Sequence, residues 1–320
     1  MSLQHTFGEL RSQLAKRIIG QEKLVERLLI ALLADGHLLV EGAPGLAKTT
    51  AIKALADHLE GDFHRIQFTP DLLPSDVTGS EIYRPETGQF EFQRGPIFHN
   101  LVLADEINRA PAKVQSALLE AMGERQVSVG MQTFPLDQLF LVMATQNPIE
   151  QEGTYPLPEA QLDRFLMHVL IDYPRADAER AILRLVRDGF GKPEQEVSFR
   201  LSAQQVFEAR QAVAEVYMAD AVEDYLLALV LASRDPASLD PELARWTSFG
   251  ASPRGTIALD RCARALAWLD GRDYVTPDDI RDIAFDVLRH RLLLTFEAEA
   301  EGMTPDGVIQ RLIDCVPVPA

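Results

Sequence analysis

Cysteine is nearly absent: Cys262 and Cys315 are the two in 320 residues. Their spacing suggests no metal site, and they read as reduced, partly buried thiols of a cytosolic protein. Basic residues are also short, with 31 Lys and Arg against 48 Asp and Glu and a formal net charge of −17. Affinity for nucleic-acid phosphates comes from clustered Lys and Arg, so a chain devoted to tracking DNA or RNA is disfavoured. A local basic strip stays open. Long apolar runs are missing: the longest, Leu226 to Ala232, is far too short to span a bilayer. Met1 to Ile19 has no apolar core followed by a small-residue cleavage site, so it does not read as a secretory signal. No internal repeat or low-complexity tract stands out. What is left is an ordinary globular composition, 47% hydrophobic and 25% charged, on a chain long enough for two domains.

The stretch that organises the chain is Glu41-Gly42-Ala43-Pro44-Gly45-Leu46-Ala47-Lys48-Thr49-Thr50. It follows the apolar run Leu38-Leu39-Val40 and precedes a segment that reads as helix from Ala51 to Leu59. Strand, glycine turn and Lys-Thr at a helix start form the context of a phosphate-binding loop. Backbone N–H groups in such a loop point at phosphate oxygens, and the helix N-terminus adds a positive dipole end. Lys48 would reach the outer phosphates of ATP, and Thr49 would offer its hydroxyl to Mg²⁺. The glycine expected before the lysine is Ala47, which takes φ > 0 less cheaply. The plainer alternative is a glycine turn between strand and helix.

Upstream, Leu10 to Ile19 reads as a short helix and Glu22 to Ala34 as an amphipathic one. Ile18-Ile19-Gly20 between them is either a turn with buried isoleucines or, if the loop binds ATP, the apolar wall of an adenine pocket. Downstream, Asp62 to Thr69 reads as a strand. Pro70 to Pro96 holds two alternating runs, Glu81-Ile82-Tyr83 and Gln89-Phe90-Glu91-Phe92, which predict a projecting hairpin with too few apolar residues to be core. His99 to Asp105 is a continuous apolar strand ending in Asp105-Glu106. Ligands bind at the C-terminal ends of buried parallel strands. Two unpaired carboxylates there would repel and carry a desolvation cost, which a Mg²⁺ at Asp105 would relieve. Glu106 would then orient and deprotonate the attacking water. An exposed acidic strand end is the alternative.

Pro111 to Gly123 reads as a helix, Gln126 to Phe134 as a second hairpin, and Leu139 to Met143 as another apolar strand ending in Ala144-Thr145-Gln146-Asn147-Pro148. Asn147 could hold the water or γ-phosphate, although Asn-Pro also opens turns. A Pro-rich loop and short helix, Gln151 to Leu162, leads through Asp163-Arg164-Phe165 to a last strand, Leu166 to Ile171, and a charged helix, Pro174 to Asp188. Arg164, taken alone, is an ordinary surface arginine. From Ser198 the strand signals vanish. Helices are predicted at Ala203 to Tyr217, Ala221 to Ser233, Pro253 to Leu269, Pro277 to His290 and Pro305 to Val316. Ser252-Pro253, Thr276-Pro277 and Thr304-Pro305 each read as an N-cap followed by proline at the first helical position. Arg254 in a first turn faces the unfavourable end of the helix dipole and wants an anion, a phosphate or a carboxylate. The expected division is 1–190, an α/β nucleotide-binding core with inserted hairpins, and 191–320, an all-helical lid.

These pieces together resemble the MoxR family of AAA+ ATPases. The resembling residues are Ile19-Gly20-Gln21, Gly42 to Thr49, Leu103-Ala104-Asp105-Glu106-Ile107-Asn108-Arg109-Ala110, Ala144 to Pro148, the block Gln151 to Phe165, and Ser252-Pro253-Arg254. Alanine before the lysine is a habit of the family. The resemblance covers nearly the whole chain and implies an AAA+ P-loop core, a parallel sheet flanked by helices, with a smaller all-helical C-terminal lid.

By position it implies that Lys48 and Thr49 are the Walker A pair, Asp105 and Glu106 the Walker B pair, and Asn147 sensor 1. Arg164 is implied as the arginine finger offered to a neighbouring subunit, and Arg254 as sensor 2. Thr49 and Asp105 would carry Mg²⁺, and Ile19, Gly20, Gly42 to Thr50 and Arg254 would surround the ATP. The family further implies a homo-oligomeric ring, taken as a hexamer, whose hairpins face the pore or top. It also implies chaperone-like action on client proteins with a von Willebrand factor A domain partner. Charge, run length and cysteine usage add the expectations of no nucleic acid, no membrane insertion and a cytoplasmic location. Two other readings stay open: a nucleotide-dependent switch or scaffold with little turnover, and a nucleic-acid motor.

Overall fold

The computed structural model of the chain describes residues 2–130, 132–148, 154–189 and 199–319. Two antiparallel helices lead in, α1 (Leu3–Arg17) and α2 (Glu22–Leu33). Ser2 caps α1 by accepting from His5 N, so this helix starts a full two turns before the apolar pattern at Leu10 announces it. The α/β lobe then runs β1 (Leu38–Glu41), α3 (Lys48–Asp57), β2 (Phe63–Gln67), α4 (Pro74–Thr78), β3 (Gly79–Arg84), β4 (Gln89–Arg94) and β5 (Leu101–Asp105). It continues with α5 (Ala112–Glu124), β6 (Gln126–Val129), β7 (Gln132–Pro135), β8 (Leu141–Gln146), α6 (Glu159–Leu162), β9 (Met167–Leu170) and α7 (Ala176–Gly189).

Strands β2, β5, β8, β1 and β9 form, in that order, one parallel sheet. Alternate residues of its central strands enter two cores, because successive side chains of a strand point to opposite faces. Leu38, Val40, Leu101, Leu103, Leu141 and Met143 pack toward the α1–α3 side. Leu39, Val102, Ala104, Val142 and Ala144 pack toward α5. This two-faced burial is why these strands read as unbroken apolar runs. The two hairpins, β3–β4 and β6–β7, stand off the sheet side by side. Phe92 of one stacks on Phe134 of the other at 4.1 Å, while Tyr83 and Phe90 pair at 5.3 Å on an exposed face.

The helical lobe comprises α8 (Ala203–Ala214), α9 (Asp220–Arg234), α10 (Pro241–Trp246), β10 (Thr247–Phe249), α11 (Pro253–Leu269), α12 (Pro277–Leu288), β11 (Leu293–Leu294), α13 (Phe296–Ala300) and α14 (Pro305–Cys315). Ser252, Thr276 and Thr304 are the caps of α11, α12 and α14, each accepting from a first-turn N–H. The lobe is not wholly helical: β10 and β11 form a small antiparallel ladder. Strands of three and two residues are too short for alternation to register in a sequence. The boundary expected at 190/191 lies outside the described residues. The apolar core crosses it: α2 packs on α8 and α11, and Phe7 of α1 meets Trp268 of α11 edge-on at 5.4 Å.

A buried charge cluster also joins α2 to α12. Asp286, fully buried, accepts from Arg27 and Lys23 at 2.9 Å each and from Arg289 at 2.5 Å. Arg27 also reaches Asp282 at 2.8 Å. Burial opposes ionisation of Asp286, yet its three cationic partners hold its carboxyl below the ordinary carboxylate value. Cys262 lies free and buried in α11, its thiol pushed up to about 12 by burial. Among the described residues, no helix is long and apolar enough to cross a membrane.

Candidate functional site

The C-terminal ends of β1, β5 and β8 lie side by side, because β5 and β1 both pair with β8. The glycine-rich loop leaves β1 there, and α3 opens at Lys48 rather than at Ala51, so Lys48, Thr49 and Thr50 form its first turn. Gly42 must lack a side chain, since a Cβ would overlap Ile171 just after β9. Gly45 takes φ +85°, with open space where its side chain would stand. Ala47 takes φ 58°, ψ 19°, the left-handed conformation the sequence required there of a residue poorly suited to it. As the cap of α3 it offers no side-chain acceptor, so the first-turn N–H groups are left without that partner. The Lys48 ammonium donates to the Gly42 carbonyl at 2.6 Å. Burial lowers its pKa, while Asp105, Glu106 and Glu41 pull it back up, so all three acids lie near it. First-turn N–H groups without a side-chain cap and a lysine folded onto the loop are a donor set that fits a polyphosphate.

The two acids are not the unpaired carboxylates expected. Asp105 accepts from Arg65 Nε at 3.0 Å and Nη2 at 2.5 Å, and from the Thr145 hydroxyl at 2.6 Å. Glu106 accepts from Gln67 at 3.0 Å and from Arg109 at 3.0 Å. Glu106 sits at φ 57°, ψ 50°, a left-handed conformation rare outside glycine, which turns the chain sharply at the strand end. Its N–H donates to the same Thr145 hydroxyl at 2.9 Å. Thr145 is 1% exposed and ties both acids to β8 with one oxygen. Sequence reasoning passed over Thr145, Arg65 and Gln67. A threonine in an apolar strand reads as a β-branched filler, and the alternation Arg65-Ile66-Gln67 shows a polar face without saying what it meets.

Asn147 follows β8 at the same end, its carbonyl accepting from Asn108 at 3.5 Å. Gly20, at φ +79°, packs against Pro174 and Ala178 at the start of α7, and Ile19 beside it is half-buried. Ile18, rather than Ile19, is the buried one. Gln151, Glu152 and Gly153 lie outside the described residues.

Arg164 and Arg254 lie elsewhere. Leu166 N donates to His37 O ahead of β1, so Asp163-Arg164 sits at the opposite end of β1 from the loop. Arg164 folds back on α5, donating to Leu119 O at 3.0 Å through space left by Gly123. Arg254, 57% exposed, lies 3.6 Å from Asp163, so the nearby anion is a carboxylate. The two arginines line one cavity of about 270 Å³ together with Arg125, Arg261 and Arg291.

Residues 37–167 match the profile of the ATPase family associated with various cellular activities (AAA), and residues 244–312 match that of the AAA lid domain. The chain is 47% identical to the chaperone MoxR1 of Mycobacterium tuberculosis, over 98% of this chain and 83% of that one. It is 34% identical to protein MoxR of Methylorubrum extorquens, over 96% and 93% of the two chains. A crystal structure of a candidate ATPase from Cytophaga hutchinsonii superposes with a TM-score of 0.91 at 45% identity, covering 99% of this chain and 96% of that one. With a five-stranded parallel sheet, a glycine-rich loop leaving β1 and a C-terminal AAA lid, this chain belongs to the MoxR family of AAA+ ATPases.

Proposed function

We propose that this chain hydrolyses ATP in a homo-oligomeric ring, a hexamer, and couples turnover to chaperone-like maturation of client proteins. A von Willebrand factor A domain protein is its proposed partner. The observation that carries this reading is the separation of the two residue sets: loop, acids and Asn147 at one end of β1, Arg164 and Arg254 at the other. A β1 of four residues is about 13 Å long at roughly 3.3 Å each, so these arginines lie about a strand's length from their own loop. In this reading they serve the loop of a neighbouring copy.

In this reading the N–H groups of the loop and Lys48 bind the phosphates, Lys48 exchanging the Gly42 carbonyl for a phosphate oxygen. Mg²⁺, held through Thr49 and Asp105, would neutralise charge on the outer phosphates. Glu106 takes a proton from water as the water oxygen bonds to the γ-phosphorus and the bond to the ADP oxygen breaks. Asn147 orients that water. A neighbour's Arg164 and Arg254 stabilise the transferring phosphoryl group, an arginine finger being worth about 10³ to 10⁵ in turnover. Ile19 and Gly20, the glycine packed by Pro174 and Ala178, form the wall beside the base. Release of Glu106 from Gln67 and Arg109 precedes chemistry.

Turnover per subunit measured across a dilution series tests the shared site: it falls as the ring dissociates, and a flat profile through dissociation refutes it. Glu106→Gln is expected to bind ATP with almost no turnover and Lys48→Ala to lose binding. Hydrolysis by Glu106→Gln at the parental rate would remove the assigned base. Capture of clients on the ATP-loaded Glu106→Gln protein identifies the partner. A switch or scaffold would remodel clients equally well with a non-hydrolysable analogue. A nucleic-acid motor would give a salt-dependent shift of single- or double-stranded DNA.

A further inference from the structure

Asp163, next to Arg164, is gripped by the helical lobe. Ser252, the cap of α11, donates its hydroxyl to Asp163 at 3.0 and 3.2 Å, and Arg291 Nε donates to it at 2.9 Å. Arg254 stands 3.6 Å away. Arg291 is buried and its other donors hold main-chain carbonyls around the same turn: Asp163 at 3.2 Å, Phe165 at 2.6 Å and Leu166 at 3.2 Å. His290 and Arg289, the two residues before it, reach the carbonyls of Phe165 at 3.1 Å and His168 at 2.5 Å. Three successive residues after α12 thus clasp the start of β9. Asp163 is the carboxylate that the last of them, Arg291, holds, and Ser252 ties the first turn of α11, with Arg254, to that same carboxylate.

Arg164 is fixed from the other side. Its backbone N–H donates to Gln161 at 3.2 Å, and its guanidinium fills the space that Gly123 leaves on α5. A glycine inside a helix weakens that helix, so its presence at 123 has a packing consequence: a Cβ there would overlap the guanidinium.

We propose that Asp163 is a positioning residue that locks Arg164 and Arg254 into one unit with the helical lobe, so that both arginines reach a neighbouring copy's nucleotide in a single pose. This rests on the reading that Arg164 acts across the subunit boundary. Carboxylate charge, rather than size, does the locking, because its partners are a buried guanidinium, an exposed one and a hydroxyl. The lobe of one copy then follows the nucleotide of its neighbour, to which it presents the arginines.

Mixing two inactive proteins tests this. Lys48→Ala subunits keep their arginines but lose their own site; Arg164→Ala subunits keep their site but lose the finger. Mixed, they are expected to regain turnover. Asp163→Asn is then placed in one partner at a time. On the Lys48→Ala chain, whose arginines serve the working sites, it is expected to reduce the restored turnover at least about tenfold. On the Arg164→Ala chain, whose arginines face dead sites, it leaves the restored turnover within about twofold. A folding defect would depress both placements alike, and melting curves of the single proteins compare the two chains directly. Equal losses, or no loss, in the two placements overturn the role of Asp163. No recovery on mixing the starting pair overturns the shared-site reading instead. Gly123→Ala on the Lys48→Ala chain, which displaces Arg164 without touching Asp163, is expected to repeat the one-sided loss.

Discussion

Replacing Thr145 by valine removes one oxygen and little volume. That oxygen donates to Asp105 at 2.6 Å and accepts from Glu106 N–H at 2.9 Å, on a residue that is 1% exposed. A hydrogen bond to a charged group contributes about 1.5–3 kcal/mol, and a buried N–H left without an acceptor costs about 1–3 kcal/mol. Arg65 keeps Asp105 partly satisfied, so a total of about 3 kcal/mol is the working figure. At about 2.1 cal/mol/K per residue, 320 residues unfold with an entropy of roughly 0.7 kcal/mol/K, so the melting temperature should fall about 4–5 °C. The larger effect falls on chemistry. Glu106 is held in a left-handed conformation that costs about 1–2 kcal/mol, and the Thr145 hydroxyl is what accepts from its N–H. Without that anchor the residue relaxes and its carboxylate moves, and a displacement of about 1 Å can cost about 10²-fold in rate. Steady-state turnover is therefore expected to drop about 10²-fold while nucleotide affinity, titrated with a fluorescent analogue, changes by less than about threefold. Thr145→Ser keeps the oxygen and is expected to restore turnover to within a few-fold. If Thr145→Val turns over and melts like the parent, or if serine does not rescue it, the reasoning is wrong.

Ala47→Gly is expected to stabilise the protein by about 0.5–1 kcal/mol, since relief of a left-handed alanine outweighs the added freedom of the unfolded chain; a lowered urea midpoint would contradict it. Asp286→Ala leaves Arg27 and Arg289 buried without their shared carboxylate and is expected to cost about 3–5 kcal/mol, part of which Arg27→Met added to it recovers. A melting curve like the parent's would show the cluster to be inert. Stability is also expected to fall on acidification. His37 is fully buried, with Nδ1 accepting from Val142 N at 3.0 Å and Nε2 facing Met122 O at 3.3 Å, and burial lowers its pKa to about 4. Burial likewise holds His290 well below its ordinary value. The unfolded chain binds these protons near 6.5 and the folded one does not, so the stability is present above 6.5 and drains toward 4. For His37 the loss from about pH 7 to about pH 5 is roughly 2 kcal/mol, and urea midpoints that do not change over that range would refute it.

Much of this protein could be read from residues alone where the physics is local. The turn from β1 into α3 is a matter of glycines, a lysine and a helix start within ten positions. The three Ser/Thr-Pro caps work within a single turn, and all three were found where the sequence put them. Buried parallel strands announce themselves because both faces are covered, as Leu101 to Ala104 and Leu141 to Ala144 are. Even the strain at Ala47 was legible, since a loop of this kind needs φ > 0 there. Short elements were not: β10, β11, α10 and α13 carry too few residues for any period.

Tertiary structure alone decided which residues the acids meet. Register opposes Gln67 to Asp105 and Ala104 to Ala144, and from that follow Arg65, Gln67 and Thr145 as their partners. No local pattern encodes a pairing between segments 40 positions apart. The same holds for Arg164 and Arg254. Their identities were visible in the sequence, but not that one carboxylate, Asp163, stands between them, nor that both lie at the far end of β1 from their own loop. The sequence by itself determined the chemistry available at a parallel sheet's end, because that chemistry is carried by adjacent residues. Which end each charge occupies is set by how distant segments pack.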